Sequence, residues 1–376
     1  MHRTLVAIPS DPIEAYEEQG LYFLKEYYNP GSFFDVVYAL SPYEPKDRFA
    51  YGMHIVSIKS CDFKAKLMEI KPDVVRAYGG YWACDLACKN KIPDIPVIVS
   101  VHDINPDLLY SSIRKADMVI CMSEVVARLV LSRGVPKEKI RILPNRIDLD
   151  IFKQIELLDF NFVLERGLPE GRHVLCIGRQ TEQKNIDTLV KAMTCLPKDY
   201  SLILIGGGDS GPYKELAQEL GVVARCFWLG FVPNEELPWW HSWADCFCVP
   251  SRWEGFGFVF IEAAACGNPV VTSNIAPMNE YLIHNESAFL VDDYENPETV
   301  ACAIRKVCED NEYRKQIQTG GISAAQKFSR SDIDAIEVSY YNEAMILHAH
   351  NNNLMVLRRL LFKASQFVCR CNGKEK

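Results

Sequence analysis

The chain has 376 residues, 48% hydrophobic and 24% charged, which is ordinary globular composition and excludes a disordered or collagenous chain. Lys plus Arg number 41 against 49 Asp plus Glu, and a net charge of -8 excludes the dense basic footprint of a general nucleic-acid binder. The 14 cysteines form no CxxC pair and sit in apolar runs such as Val174–Ile177 and Cys246–Val249, the habit of buried free thiols in a reduced, cytoplasmic compartment rather than of a secreted framework or a zinc ribbon.

Met1–Ile8 is too short an apolar run for a signal peptide and reaches Pro9 at once. Short apolar segments bounded by Gly, Pro, Asp or Ser then predict strands at Thr4–Ile8, Asp35–Ala39, Val74–Ala77, Val97–Val101, Met118–Met122 and Lys139–Leu143. The second half repeats the pattern at Val174–Ile177, Ser201–Ile205, Cys226–Leu229, Cys246–Val249, Pro269–Thr272 and Ala288–Val291. Between most of them lies helical periodicity: Asn185–Leu196 places Ile186, Leu189, Val190 and Met193 at i, i+3, i+4 and i+7. Alternating strand and helix implies parallel sheets covered on both faces. One sheet of twelve strands would be unusually large, so two doubly wound sheets of about six are expected. The fold class is therefore α/β, with two Rossmann-like domains facing across a cleft lined by loops at the carboxyl ends of the strands.

The break falls around Asp150–Gly171, which places the first domain over 1–155 and the second over 172–330. Residues 331–350 read as a helix returning toward the first domain. The tail 351–376 is apolar and basic with no acid before Glu375; it either packs as a helix on the body or makes a peripheral contact with an anionic membrane surface. No apolar stretch reaches about 18 residues, so no spanning helix is expected.

The most informative segment is Val249–Val271, which reads as strand end, loop, helix, Gly stop and strand. Gly255 and Gly257 allow close backbone approach at a helix N-terminus, where free N–H groups favour a phosphate. The helix starting near Phe258 is apolar on nearly every side, and Glu262 within it is anomalous because a buried carboxylate costs several kcal/mol unless partnered. A partner beside a phosphate site that is neutral and offers two donors is a sugar diol: the ribose hydroxyls for Glu262 and the hydroxyls of a transferred sugar for Glu254. The alternative is a pair of acids complementing a helix dipole, which Glu262, deep in an apolar helix, fits poorly.

A second cluster, Gly178-Arg179-Gln180-Thr181-Glu182-Gln183-Lys184-Asn185, follows the first strand of the second domain, so Arg179 and Lys184 reach one anion at the carboxyl edge. Two fixed cations there stabilise a departing diphosphate as a metal would. His102, in Val99-Ser100-Val101-His102-Asp103, ends a first-domain strand and can donate to a hydroxyl or a developing charge. Ile205–Gly211 formally matches GxGxxG but follows the second strand of its domain, and Phe227–Gly230 holds no acid where a dinucleotide fold wants one. No NAD site is therefore expected, although Gly206 lets backbone approach a ligand. The DxD matches Asp148-Leu149-Asp150 and Asp332-Ile333-Asp334 are of a kind common by chance, and no metal is assigned.

These segments together resemble the retaining, two-domain GT-B enzymes of glycosyltransferase family 4, with its "glycosyl transferases group 1" domain. The family's E-x7-E motif is similar to Glu254…Glu262, its Gly-Arg…Lys-Asn signature to Gly178-Arg179…Lys184-Asn185, and its strand ends to Ile205–Gly211 and Phe227–Val232. Leu143-Pro144-Asn145-Arg146-Ile147-Asp148…Phe152 resembles its PNGiD…F segment with Arg146 in place of Gly. Where the family often has a Gly-rich loop after the first strand, this chain has Pro9-Ser10-Asp11-Pro12. The resemblance, strongest over 140–330, implies transfer of a sugar from a nucleotide-sugar, UDP- or GDP-linked, to a glycan, lipid-linked or polysaccharide hydroxyl with retention and without metal or cofactor. By that resemblance Glu262 binds ribose, Arg179 and Lys184 the diphosphate, Glu254 with the backbone of Gly255, Phe256, Gly257 and Phe258 the donor sugar, Phe231 and Val232 the base, and His102 a position near the sugar. The competing readings are a glycoside hydrolase using Glu254 and Glu262 as its acid pair, a phosphorylase or sugar-nucleotide epimerase on a similar fold, and a catalytically silent scaffold.

Overall fold

The apolar runs pair into two sheets in a computed structural model that describes residues 2–18, 24–156 and 167–348. All twelve expected strands are present, with ends within two residues of expectation. The first sheet contains β1 (Thr4–Ile8), β2 (Val36–Ser41), β3 (Arg48–Ala50), β4 (Met53–Ser57), β5 (Val74–Tyr78), β6 (Val97–Val101), β7 (Met118–Cys121) and β8 (Ile140–Ile142), in the order β3-β4-β2-β1-β5-β6-β7-β8. It therefore has eight strands rather than about six. The two unexpected ones form a hairpin, β3 antiparallel to β4, on an otherwise parallel sheet. Its turn places Tyr51 and Gly52 at φ 52° and 69°. Positive φ at both central residues is the geometry usually announced by Asn-Gly, and a Tyr in the first place conceals it.

The second sheet contains β9 (Arg172–Ile177), β10 (Tyr200–Ile205), β11 (Cys226–Gly230), β12 (Cys246–Val249), β13 (Val270–Ser273) and β14 (Phe289–Val291), all parallel, in the order β11-β10-β9-β12-β13-β14. Val174, Leu175, Cys246, Phe247, Cys248 and Val249 are wholly buried, as expected of strands covered on both faces. Burial pushes the Cys176 thiol up to about 12, so it behaves as a small hydrophobe. Because β9 pairs with both β10 and β12, the strand order reverses at β9, which is the switch point where open α/β sheets bind ligands.

Two compact units follow from these sheets. Of the described residues, the first comprises those up to Cys121, Val126–Leu143 and 334–348; the second comprises Met122–Val125 and those within Pro144–Ile333. The sequence reading ended the first domain at 155, whereas the units divide between Leu143 and Pro144. The reason is local: Ile147 donates to Phe328 O at 2.8 Å and accepts from Arg330 N at 3.0 Å, which draws the stretch after Pro144 into the second unit. Within the first unit, the part of a helix over 330–348 that follows Ile333 is tied to β5 by Arg76, buried and bonded to Glu337, to Tyr341 Oη at 2.5 Å and to Ser100 Oγ at 2.9 Å. Residues 349–350 of the expected helix and the tail 351–376 lie outside the described residues. Among the described residues no helix is long and apolar enough to cross a membrane.

Candidate functional site

Four loops of the second unit leave the carboxyl ends of adjacent strands β11, β10, β9 and β12; they carry every candidate residue except His102 and, on the helix after the β12 loop, Phe258 and Glu262. Glycines set how closely the β9 and β10 loops approach. Gly206, at φ 133°, lies against Gly178, and a Cβ on it would sit 2.1 Å from Gly178 O. The backbones are joined by Gly178 N to Ile205 O at 2.9 Å and Gln180 N to Gly207 O at 2.7 Å. The glycine run that resembles a dinucleotide motif thus packs one loop on the next.

The β9 loop ends in a single turn, Glu182–Lys184, followed by Asn185 in the left-handed region at φ 55°. Asn185 is fully buried, and its amide donates to Pro250 O at 2.9 Å and Tyr294 O at 3.0 Å. Asn tolerates that backbone conformation and carries the donors needed, so Lys184 is delivered to the end of β12 by its neighbour.

There it meets Glu254. Glu254 is 4% exposed, and its Oε1 accepts from Lys184 Nζ at 2.6 Å and Ser251 Oγ at 2.8 Å. Its Oε2 accepts from Gln183 Nε2 at 3.1 Å, which also donates to Trp253 O at 2.9 Å. Ser251 and Gln183 escaped the sequence reading because each is polar and unremarkable in its own loop; only the fold brings them to one carboxylate. Arg252 was missed as well. It clamps the two loops, donating to Glu182 O at 2.8 Å and pairing with Asp187 at 3.0 Å and Glu295 at 2.8 Å. Arg252→Ala is expected to lower the melting temperature by roughly 3–8 °C, the loss of about 1.5–3 kcal/mol of charge-assisted hydrogen bonding, with Arg252→Lys restoring less than half. A melting curve that does not move would show that Asn185 alone holds the loops.

Beyond Glu254 the chain turns through Gly257, at φ 84°, into the helix Phe258–Ala265. Tyr281 Oη donates to Phe256 O at 2.6 Å, and Ser123 Oγ, in the same unit, donates to Gly255 O at 2.8 Å. These bonds fix the loop carbonyls and leave the first N–H groups of the helix free of side-chain caps. One turn further in lies Glu262. It is half-buried, and among the described residues burial and the Lys184 charge, with no hydrogen bond beside them, act on its carboxyl. Burial pushes its carboxyl up to about 7, against the lowering pull of the Lys184 charge.

The structure therefore groups Glu254, Lys184 and the Gly255–Phe258 loop tightly, with Glu262 within the electrostatic reach of Lys184. Arg179 stands exposed at the start of the same loop, and its guanidinium makes no ion pair among the described residues. Phe231, 71% exposed, and half-buried Val232 follow β11 at the edge of the sheet. His102 belongs to the first unit. Burial and the nearby Arg76 charge lower it to about 4, so at neutral pH it is an uncharged hydrogen-bonding group and not a cation.

Known proteins resemble this chain in sequence and in fold. The family model described as Glycosyltransferase Family 4 matches residues 2–151, and that described as Glycosyl transferases group 1 matches residues 165–323. An uncharacterized glycosyltransferase of Methanocaldococcus jannaschii is 31% identical over 63% of this chain and 62% of its own length. A GDP-mannose-dependent alpha-(1-6)-phosphatidylinositol monomannoside mannosyltransferase of Mycobacterium tuberculosis is 30% identical over 52% of this chain and 54% of its own length. The chain thus covers less than two thirds of the length of these relatives. Among solved structures, Anabaena HepE in complex with UDP and glucose superposes with a TM-score of 0.73 at 19% identity, over 91% of this chain and 100% of that one, a likeness of fold.

Proposed function

We propose, from the premise that this chain belongs to glycosyltransferase family 4 and has its two-domain α/β GT-B fold, that it moves a sugar from a nucleotide-sugar donor to an acceptor hydroxyl with retention of the anomeric configuration. The observation that carries this is Glu262: a half-buried carboxylate without a partner, on an apolar helix, in the field of a lysine that lies beside a free helix N-terminus. A nucleotide's ribose supplies the two neutral donors that carboxylate lacks, and its diphosphate supplies the anion for Lys184, Arg179 and the helix N-terminus. Glu254 and the backbone of Gly255, Phe256, Gly257 and Phe258 hold the hydroxyls of the donor sugar. Phe231 and Val232 meet the base and Gly206 leaves room beside it, while His102, on the first unit, is a neutral hydrogen-bonding group for a sugar hydroxyl.

In the transfer, the bond from the anomeric carbon to the phosphate oxygen breaks as the bond to the acceptor oxygen forms on the same face. The acceptor's proton passes to the leaving diphosphate. Lys184 and Arg179 stabilise the charge that grows on that diphosphate. Glu254 fits no hydrolytic acid role, since its contacts are all with donors: Lys184, Ser251 and Gln183. The scaffold reading has no observation of its own in support.

Uridine and guanosine diphosphate sugars are the donor classes to try first, because the mycobacterial relative is named for GDP-mannose and HepE was solved with UDP. A thermal-shift screen of UDP-, GDP- and ADP-sugars, followed by product analysis, tests the reading: one base is expected to raise the melting temperature and one sugar to be turned over. No shift with any donor would overturn it. Activity is expected to survive EDTA, because fixed cations supply the positive charge; a loss that Mg²⁺ restores would contradict that role. A reduced, cytoplasmic setting accords with the twelve described cysteines, all of them free thiols. Of the proposed membrane contact, the tail that would make it lies outside the described residues.

A further inference from the structure

We infer that Ser123, Glu280 and Tyr281 are positioning residues for the transfer: they aim the Phe256 and Gly257 N–H groups and so govern turnover of the donor more than the grip on its nucleotide. Their part in turnover rests on the function proposed above; the anchoring of the loop does not.

Four residues of the chain stand apart from their neighbours. Met122–Val125 belong to the second unit, although Cys121 before them and Val126 after them belong to the first. They follow β7 and open the helix Glu124–Ser132. What holds them is polar. Ser123 is 4% exposed, and its hydroxyl donates to Gly255 O at 2.8 Å. The Glu280 carboxylate accepts from the Glu124 N–H at 2.9 Å and from the Val125 N–H at 3.0 Å, one bond to each oxygen. A carboxylate across the first N–H groups of a helix satisfies donors the helix leaves open, and it lies at the positive end of the helix dipole. Glu280 thus holds the helix start, and the helix start delivers Ser123 to Gly255.

Tyr281, the next residue of the same short helix Met278–Tyr281, reaches the following carbonyl. Its Oη donates to Phe256 O at 2.6 Å, and its ring lies 5.1 Å from that of Phe256 and 5.6 Å from that of Phe328. Burial, with the charges of Glu254 and Glu280, pushes its phenol well up, so it stays a donor.

Two hydroxyls therefore fix two consecutive carbonyls. A trans peptide is planar, with its N–H opposite its C=O. Holding Gly255 O turns the Phe256 N–H away from Ser123, and holding Phe256 O turns the Gly257 N–H away from Tyr281. The proposed function gives those two N–H groups to the donor sugar, beside Glu254. The loop also runs close against its anchors: a Cβ on Gly257 would lie 2.5 Å from the Phe260 ring and 3.4 Å from Tyr281 Oη. Glu262 and Arg179, which are given the nucleotide, take no part in these bonds. Loosening the N–H pair displaces groups aimed at the reacting sugar, which costs rate more than affinity.

The test compares full-chain variants with the parent. In hydrogen–deuterium exchange without ligand, Ser123→Ala and Tyr281→Phe are each expected to speed exchange about threefold or more in the peptide spanning 253–264, with distant peptides unchanged. With a nucleotide-sugar, kcat is expected to fall about 3- to 10-fold in each, while Kd for the matching nucleoside diphosphate stays within about twofold. Glu280→Ala is expected to match Ser123→Ala, and the double variant to lose no more than the larger single loss, because Glu280 acts through Ser123. Should Glu280→Ala not melt cooperatively, Glu280→Gln, which keeps one acceptor oxygen, takes its place. Parent-like exchange in both hydroxyl variants, an unchanged kcat in both, equal losses of kcat and nucleotide affinity, or additive losses at Glu280 and Ser123 would each overturn the inference. A parent that turns over no donor would refute the transferase reading and the role in turnover with it, while the exchange measurement decides the anchoring.

Discussion

Replacing Lys184 with alanine is expected to lower turnover by about two to three orders of magnitude, the usual cost of removing one preorganised group from the site of developing charge. Lys184 lies 2.6 Å from a nearly buried Glu254, and the turn that carries it is locked by Asn185. Its ammonium is therefore fixed before any ligand arrives. A diphosphate linked to both a nucleoside and a sugar gains negative charge only as the sugar departs, so Lys184 contributes more to the transition state than to the bound donor. The expected signature is a fall in kcat larger than the rise in KM. A variant with kcat within a few-fold of the parent would remove Lys184 from the chemistry and leave it the role of Glu254's counter-ion.

The second large effect concerns Glu262. Glu262→Gln is expected to weaken donor binding by about 10- to 100-fold, the loss of hydrogen bonds to a charged acceptor worth roughly 1.5–3 kcal/mol. It also changes the pH dependence. Burial raises the Glu262 carboxyl to about 7, so below that pH it is protonated and above it ionised. Donor hydroxyls bond best to the ionised form, and the phosphates of a nucleotide-sugar, both diesters, do not titrate near neutrality. The parent's kcat/KM should therefore rise with pH through about 7, and the Gln variant should lack that limb. Stability moves the other way. A carboxyl whose folded value lies above its unfolded value favours the native state when protonated, and that contribution is lost as pH rises through the folded value. The Gln variant should thus melt a few degrees above the parent at pH 8, and the difference should shrink toward pH 5.

Much of this architecture was legible because local and global signals agreed. In the second sheet, Cys246–Val249 and the stretch from Leu202 to Ile205 are continuous apolar runs ended by Pro250 and Gly206, the pattern of strands buried on both faces. Glu262 was legible for the opposite reason, as a carboxylate in a helix that is otherwise apolar. The hairpin β3–β4 was not: Arg48–Ala50 is short and at the sheet edge, and its turn hides behind Tyr51. The partners of Glu254 were invisible in principle. Ser251, Gln183 and Lys184 come from two loops separated by roughly seventy residues, and nothing in either loop's composition names the other. The sequence reading gave Lys184 only to the diphosphate; the structure pairs it with Glu254 at 2.6 Å, a contact the spacing did not announce. His102 was read as a donor to a hydroxyl or to a developing charge, and its burial beside Arg76 keeps it neutral.

The most direct measurement is a calorimetric cycle on the nucleotide's sugar hydroxyls. Titrating the parent and Glu262→Ala with the preferred nucleoside diphosphate and with its 2′,3′-dideoxy analogue isolates the carboxylate–diol term. The parent should bind the dideoxy compound about 10- to 100-fold more weakly, and Glu262→Ala should bind both alike. Equal losses on removing the hydroxyls from both proteins would mean that the diol is held elsewhere and that Glu262 has no part in gripping the donor.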